Sequence, residues 1–464
     1  MFFAFFMFRL PGSREPNMTQ PNLQSFASLR KAFAQGEDNP TAFLQRCLDI
    51  LDSRDAEIKA FVALDRAAAL QAAAESTARW QAGTPLSPID GMPIGIKDVI
   101  ETAGMPTGQG SERFAGTQTG RDAAAVMALR EAGAVILGKT ATTEFAATSP
   151  AATRNPCDLT RTPGGSSSGS AASISAGMLP AALGTQVVGS IIRPASFCGV
   201  VGYKPSFGGL NRGGSNDLLS QSSMGVLGAS LEDVRDVAAA ITERVGGDAG
   251  HAGLDLPPLT AIRPRTLAVL ELAGYEQADP AARDAFDALR GRLQAMGVTL
   301  VDRHSHDGLK QLEQALVRCF EASRLLITWE SLWPMREYAR APEPKISSHT
   351  LARVAEGRKL TVADYRTALA HRTSVRALAD SVLAEFDGAI SLAATGAAPV
   401  GIDATGSPVQ NVPASYLGTP AVTLPLMQIH GLPLGLQMMD RLGNDAALLA
   451  LAKWLETSLA LAGG

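Results

Sequence analysis

Apolar residues near the start of the chain recur at helical spacing. Phe26, Leu29 and Phe33 form one set, and Phe43, Leu44, Cys47, Leu48 and Leu51 form a second, the spacing of amphipathic helices. Asn39-Pro40-Thr41 offers a cap and a first-turn proline for the second helix. The alanine-rich run from Ala67 to Trp80 reads as a third, so residues 22–80 are predicted helical. Beyond them the period changes. Met92 to Ile96 and Ala134-Val135-Ile136-Leu137 are short apolar runs of buried-strand type, with a helix from about Asp122 to Ala132 between them. Ala171 to Ala182 reads as a helix of small residues suited to close packing on a sheet. Ala281 to Met296 is amphipathic through Phe286, Leu289 and Leu293, and Val298 to Val301 follows as a strand. Leu309 to Val375 reads as covering helices, Leu432 to Met438 as a strand and Asp445 to Leu459 as a closing helix. Strands alternating with helices in this way predict an α/β fold with a largely parallel or mixed sheet. The Gly/Pro-rich stretch from Gly246 to Pro264 is the best candidate for an internal boundary.

Composition narrows the class. The 464 residues are 46% hydrophobic and 19% charged, ordinary values for a globular protein with a large core. The net charge is −4 and no long basic run interrupts the chain, which argues against nucleic acid or an anionic membrane as direct partner. Cys47, Cys157, Cys198 and Cys319 are scattered, without C-x-x-C spacing. That pattern offers no metal site or disulfide framework and suits a reducing cytoplasm. The opening Met1-Phe2-Phe3-Ala4-Phe5-Phe6-Met7-Phe8 is too short to span a bilayer and lacks the charge pattern of a secretory signal. Residues 1–21 are therefore read as a disordered leader, with Met18 opening the structured protein, and residues 22–464 as one domain.

Two pattern matches fail on physical grounds. Gly133 to Thr140 spells G-x-x-x-x-G-K-T, but a phosphate-binding loop needs a flexible middle, and Ala134 to Leu137 is strand material. Gly165-Ser166-Ser167-Ser168-Gly169 spells G-x-S-x-G, yet the polar turn sequence before it is not the strand a nucleophile elbow requires. His430 lies downstream in the right order, so a Ser167/His430 esterase triad stays open as a rival. A third constellation is more coherent. Lys97 sits among Pro93, Ile94, Ile96, Val99 and Ile100, and desolvation there lowers a lysine pKa and makes it a base. Glycines flank the Ser166 region, and Val187-Val188-Gly189-Ser190 could aim consecutive N–H groups at one point, as an oxyanion hole does. One lysine and two serines are the parts of an acyl-transfer nucleophile that works without histidine.

These segments resemble the amidase signature family. Its Gly-Gly-Ser-Ser-Gly-Gly-Ser hallmark aligns with Gly164 to Ser170, and its second block with Gly189-Ser190-Ile191-Ile192-Arg193-Pro194-Ala195-Ser196-Phe197-Cys198-Gly199. The likeness extends from Gly95-Ile96-Lys97-Asp98 to Leu432-Pro433-Leu434-Gly435 and covers nearly the whole chain from about residue 22, with a signature core at about 85–210. The resemblance implies an α/β/α sandwich with a central mixed sheet. It implies Ser190 as nucleophile, Ser166 as bridging serine in a cis peptide and Lys97 as base. Ser167 is expected to help by hydrogen bonding nearby, among the substrate-binding residues. The oxyanion hole would be the backbone of Val187, Val188, Gly189 and Ser190. No cofactor or metal is implied.

The departures matter too. Gln186 stands where the family usually has Asp, Val188 where a small residue is usual, and the arginine is displaced one position, to Arg193. This variant is similar to the malonamidase-like branch, in which the arginine binds a substrate carboxylate; a buried structural salt bridge is the competing reading of Arg193. The expected activity is hydrolysis of a small carboxamide to an acid and ammonia or amine. An amidotransferase A-subunit role, supplying ammonia to a partner, is the alternative, and a catalytically silent binding protein a third. The expected partners are a small-molecule amide, no nucleic acid, no membrane and a homodimer. The pocket walls are expected from residues 207–225, 325–350 and 393–416.

Overall fold

The computed structural model describes residues 20–147 and 149–459, so nearly all of the expected leader lies outside the described residues. Among them, strands β1 (Phe61–Leu64), β2 (Pro93–Lys97), β3 (Val135–Thr140), β4 (Ala181–Gln186), β5 (Val201–Lys204), β6 (Ser223–Gly228), β7 (Thr266–Val269), β8 (Thr299–Val301), β9 (Ala389–Leu392), β10 (Ala421–Ile429) and β11 (Leu432–Met439) form one sheet. Their order across it is β1-β3-β2-β4-β6-β5-β10-β11-β9-β7-β8. β2 runs parallel to both β3 and β4, and β7 runs parallel to β8 and β9. The other pairs are antiparallel. The sheet is therefore mixed, as expected.

Both faces are covered, which is why the central strands read as unbroken apolar runs rather than alternating ones. In β3, Ile136 belongs to the apolar cluster on one side that includes Val126, Leu129 and Val237. Val135 and Leu137 belong to a second cluster, with Leu44, Leu48 and Ile174. The result is helices on either side of a central sheet, an α/β/α sandwich.

Local sequence explains most boundaries. The Asn39 side chain accepts from Ala42 N at 2.9 Å and caps the helix Pro40–Ile58. Asp279 caps Pro280–Ala295 in the same way, and the closing helix spans Asp445–Leu459. The covering region resolves into Asp307–Leu316, Cys319–Tyr338, Ser348–Gly357 and Val362–Leu383.

Two expectations are corrected. Residues 22–80 are not wholly helical: Lys59 takes a left-handed conformation, and Phe61–Leu64 becomes an edge strand antiparallel to β3. The small-residue helix expected over 171–182 ends at Ser175. Gly177 has φ +84°, Pro180 follows, and Ala181 and Ala182 open a central strand. Their small side chains suit that strand because close packing, not propensity, decides the state there. The 246–264 connector leads from the helix Leu231–Val245, which follows β6, into β7 of the same sheet.

Candidate active site

β2 ends at Lys97, beside the carboxyl end of its parallel neighbour β4, the edge where open α/β sheets place ligands. The Lys97 side chain is 0% exposed. Its ammonium nitrogen reaches Ser166 Oγ at 2.7 Å, Thr185 Oγ1 at 2.7 Å and Thr185 O at 3.2 Å. Burial pushes the Lys97 pKa down to about 7, against an opposing pull from the Asp217 carboxylate. At that value the amine is uncharged in a large fraction of molecules near neutral pH, as a general base must be.

The Gly165–Ser166 peptide is cis, in line with the resemblance. Ser190 follows β4, is 4% exposed and lines a cavity. Its hydroxyl forms no hydrogen bond among the described residues, so the Lys97–Ser166 contact is closed while a Ser166–Ser190 contact is open. Relay contacts commonly tighten only with substrate in place. The backbone N–H groups of Val187, Val188, Gly189 and Ser190 donate to no other described group. Four consecutive free donors beside a cavity are what a developing oxyanion requires.

Sequence reasoning missed two supports of this turn. Gln186 Oε1 accepts from Ile191 N at 2.9 Å and Ile192 N at 3.0 Å, while its amide donates to Ser415 Oγ. The glutamine thus closes the loop that carries Ser190, using an acceptor and a donor where an aspartate has only acceptors. Thr185 stands in the sequence only as part of a glycine-rich motif, yet it supplies two of the three contacts to Lys97. The signal for both was a polar residue inside an apolar strand.

Other expectations fare differently. Arg193 is buried, with Nη2 donating to Gly165 O at 2.6 Å and to Thr405 Oγ1 at 3.1 Å. Its Nε and Nη1 have no partner, so the structural salt-bridge reading is wrong. Burial lowers its pKa to about 10. Ser167 is fully buried and bonds Thr185 O at 3.3 Å. It does not line the cavity, which corrects its place among substrate-binding residues. The Ser167/His430 rival also fails: the His430 side chain is 65% exposed, on the β10–β11 turn, 3.5 Å from Asp279. Lys139, dismissed as a phosphate ligand, is buried against Ile100 O, Pro106 O, Thr107 Oγ1 and Asp98.

The cavity measures about 490 Å³, large enough for a small-molecule ligand. All three expected stretches contribute, through Asp217 and Leu219, through Ile327 and Thr328, and through Thr405 and Gly406. Phe145 to Ala147, Phe320, Ser323, Arg324 and Arg353 also line it without having been foreseen. Among the described residues, no group of three or more His, Cys, Asp or Glu side chains is placed to hold a metal. No helix among them is long and apolar enough to cross a membrane.

Comparison with known proteins agrees with this geometry. The chain is 32% identical to the A subunit of glutamyl-tRNA(Gln) amidotransferase from Chloroflexus aggregans, over 93% of this chain and 96% of that one. The Salinispora arenicola protein of the same description is 31% identical, with 95% and 98% covered. A solved structure described as an amidase superposes with TM-score 0.82 at 28% identity, covering 94% of this chain and all of that one. A solved structure described as a vestigial protein complex that reveals the evolutionary origins of an s-triazine catabolic enzyme superposes with TM-score 0.83 at 26% identity, covering 94% of this chain and 98% of that one.

These matches correct the expected partners. The sequence points to a homodimer acting on a small amide, without nucleic acid. The curated relatives are instead A subunits of an enzyme named for a glutamyl-tRNA. Net charge could not reveal this, because one chain of such an enzyme need not carry a basic surface of its own. No malonamidase-like branch stands out among the matches. With the Amidase family matching residues 42–449, and with fold and relatives in agreement along that span, this chain belongs to the amidase family.

Proposed function

We propose that this chain is an ammonia-releasing amidase of the amidotransferase A-subunit type, which hydrolyses a carboxylate-bearing primary amide such as glutamine through an acyl-enzyme on Ser190. Similarity to A subunits over 93% of the chain supports this role better than that of a free-standing small-amide hydrolase. The observation that carries the chemistry is the buried 2.7 Å contact between Lys97 and Ser166.

The steps follow from the residues. Neutral Lys97 takes the Ser166 hydroxyl proton, and Ser166 takes the Ser190 proton as Ser190 Oγ bonds to the amide carbon. The oxyanion forms against the free N–H groups of residues 187–190. Lys97 returns its proton through Ser166 to the nitrogen, the C–N bond breaks, and ammonia leaves an ester on Ser190. Water then attacks the ester, the same relay takes its proton, and the acid departs with Ser190 restored.

Arg193 supports a carboxylate on the donor, since its guanidinium lines the cavity beside Ser190, meets no acidic side chain and leaves Nε and Nη1 without a partner, a cation that an anionic group would satisfy. This is also what a malonamidase-like preference would require, and Val188 on the cavity wall disfavours bulky acyl groups. A cytoplasmic setting belongs to the same proposal, with all four cysteines free and buried. The test is ammonia release by the purified protein from L-glutamine, glutaramate and butyramide. Carboxylated amides should be preferred, and Arg193→Lys should erode that preference. No ammonia from any of the three would refute the reaction, and equal rates for carboxylated and neutral amides would refute the role of Arg193.

A further inference from the structure

Two side chains from distant segments grip the turn that bears Ser190, and neither takes part in the relay. Gln221 is 1% exposed and lies off the cavity wall. Its Nε2 donates to Val187 O at 2.9 Å and to Ser323 Oγ at 2.6 Å, while Oε1 has no partner. Chemistry fixes the orientation of this amide, because a carbonyl oxygen only accepts and the atom facing Val187 O must be the donor. Ser415 is equally buried and donates through Oγ to Val188 O at 3.2 Å. The next carbonyl of the turn, Gly189 O, accepts from Arg193 N at 3.1 Å.

A trans peptide is planar, so its C=O and the N–H that follows point in opposite directions. The grip on Val187 O therefore sets the direction of Val188 N–H, and the grip on Val188 O sets that of Gly189 N–H. Both belong to the unpartnered donors beside the cavity. Ser190 N–H is set locally, through Gly189 O and Arg193 N, whereas the other two depend on residues 34 and 227 positions away. The backbone that carries Gln221 is itself anchored. Arg212 Nη1 donates to Leu219 O at 3.0 Å and Ser222 O at 2.9 Å, and Ser220 N donates to the Glu330 carboxylate at 2.8 Å. Ser323 lies on the helix Cys319–Tyr338 and lines the cavity, so one amide group ties the cover of the cavity to the turn.

We propose that Gln221 and Ser415 are positioning residues for the oxyanion, fixing the peptides on either side of Val188 so that the Val188 and Gly189 N–H groups already face the reacting carbonyl when substrate arrives. This deepens the function proposed above and rests on it for the reaction. Their effect falls on the charged tetrahedral state rather than on the bound amide, because preorganised donors act on charge that develops during the reaction.

Aldehydes separate that state from the ground state. Glutarate semialdehyde and butanal match the amides glutaramate and butyramide but have no leaving group. Ser190 Oγ bonds to the aldehyde carbon, the C=O π pair becomes an alkoxide in the hole, and the Ser190 proton passes through Ser166 to Lys97. Calorimetry reads aldehyde binding to the wild type, Gln221→Met and Ser415→Ala, and amide binding to the same three proteins carrying Ser190→Ala. Methionine keeps the length of glutamine without its donor. Gln221→Met should weaken aldehyde binding by about tenfold or more and lower kcat for an amide in parallel, with the amide Kd unchanged to within about twofold. Ser415→Ala should do the same. Unchanged aldehyde affinity overturns the proposal, as does equal weakening of aldehyde and amide, which is what lost packing alone would give. Should Gln221→Met fail to fold, Ser415→Ala decides by itself. A wild type that binds neither aldehyde also overturns it. Aldehyde binding through Ser190 without ammonia release from any amide would instead refute the reaction.

Discussion

Replacing Lys97 by methionine should inactivate the enzyme and yet stabilise it at pH 6. The fold lowers the Lys97 pKa from 10.5 to about 7. In the unfolded chain the same amine titrates near 10.5, so between these values the unfolded state binds more protons and stability rises with pH. Below about pH 7 the lysine is charged in both states and the whole penalty is present. A gap of about 3.5 pH units at about 1.36 kcal/mol each amounts to roughly 5 kcal/mol. Methionine fills nearly the same volume without a charge, but it leaves Ser166 Oγ and the two Thr185 oxygens without their donor. Those losses cost about 1 kcal/mol apiece, so the variant should gain roughly 2 kcal/mol at pH 6. Near pH 10 most of the penalty has vanished and only the losses remain, so the sign should reverse. Urea unfolding of both proteins at pH 6 and pH 10 reads the difference directly, because every other titrating group is common to the pair. A difference that does not change with pH, or a variant less stable at pH 6, would show that the amine is not held uncharged by burial.

Activity should follow the same amine. The value of kcat/KM for an amide should rise with pH through about 7 along a single ionisation and then level, because only neutral Lys97 accepts a proton; a flat profile from pH 5 to 9 would exclude it as base. Gln186→Leu strands the N–H groups of Ile191 and Ile192, each buried donor costing about 1–3 kcal/mol. Both the melting temperature and kcat should fall, and unchanged kcat would mean that the turn needs no such brace. His430→Ala should leave turnover within about twofold of wild type, since surface substitutions away from special features act weakly; abolished turnover would revive the histidine triad.

Legibility tracked the range of the interactions involved. The helices Pro280–Ala295 and Asp445–Leu459 are readable almost to the residue, because apolar period and capping are local properties. β4 reads instead as the tail of a helix, because Ala181 and Ala182 carry no strand signal of their own. They are strand because β2 and β6 flank them, and no local pattern encodes a neighbour from elsewhere in the chain. In the site, the lysine and both serines stand out as polar residues in glycine-rich or apolar settings, and motif resemblance sharpens their roles. Thr185 and Asp217 do not, and Gln186 shows only as a departure from the family pattern, because the contacts of threonine, glutamine and aspartate depend on what they face.

The amino-acid order by itself thus determined the fold class, the family and the Lys97/Ser166/Ser190 set, since spacing along the chain and unusual residue types in apolar runs are visible without folding. Tertiary structure alone decided that the Lys97 amine is sealed from water, that Arg193 finds no carboxylate, and that Asp217 shares a cavity wall with Ser190. Each of these depends on which groups from distant segments come within a few ångströms. Desolvation and pairing act over that distance, and separation along the chain does not reveal it.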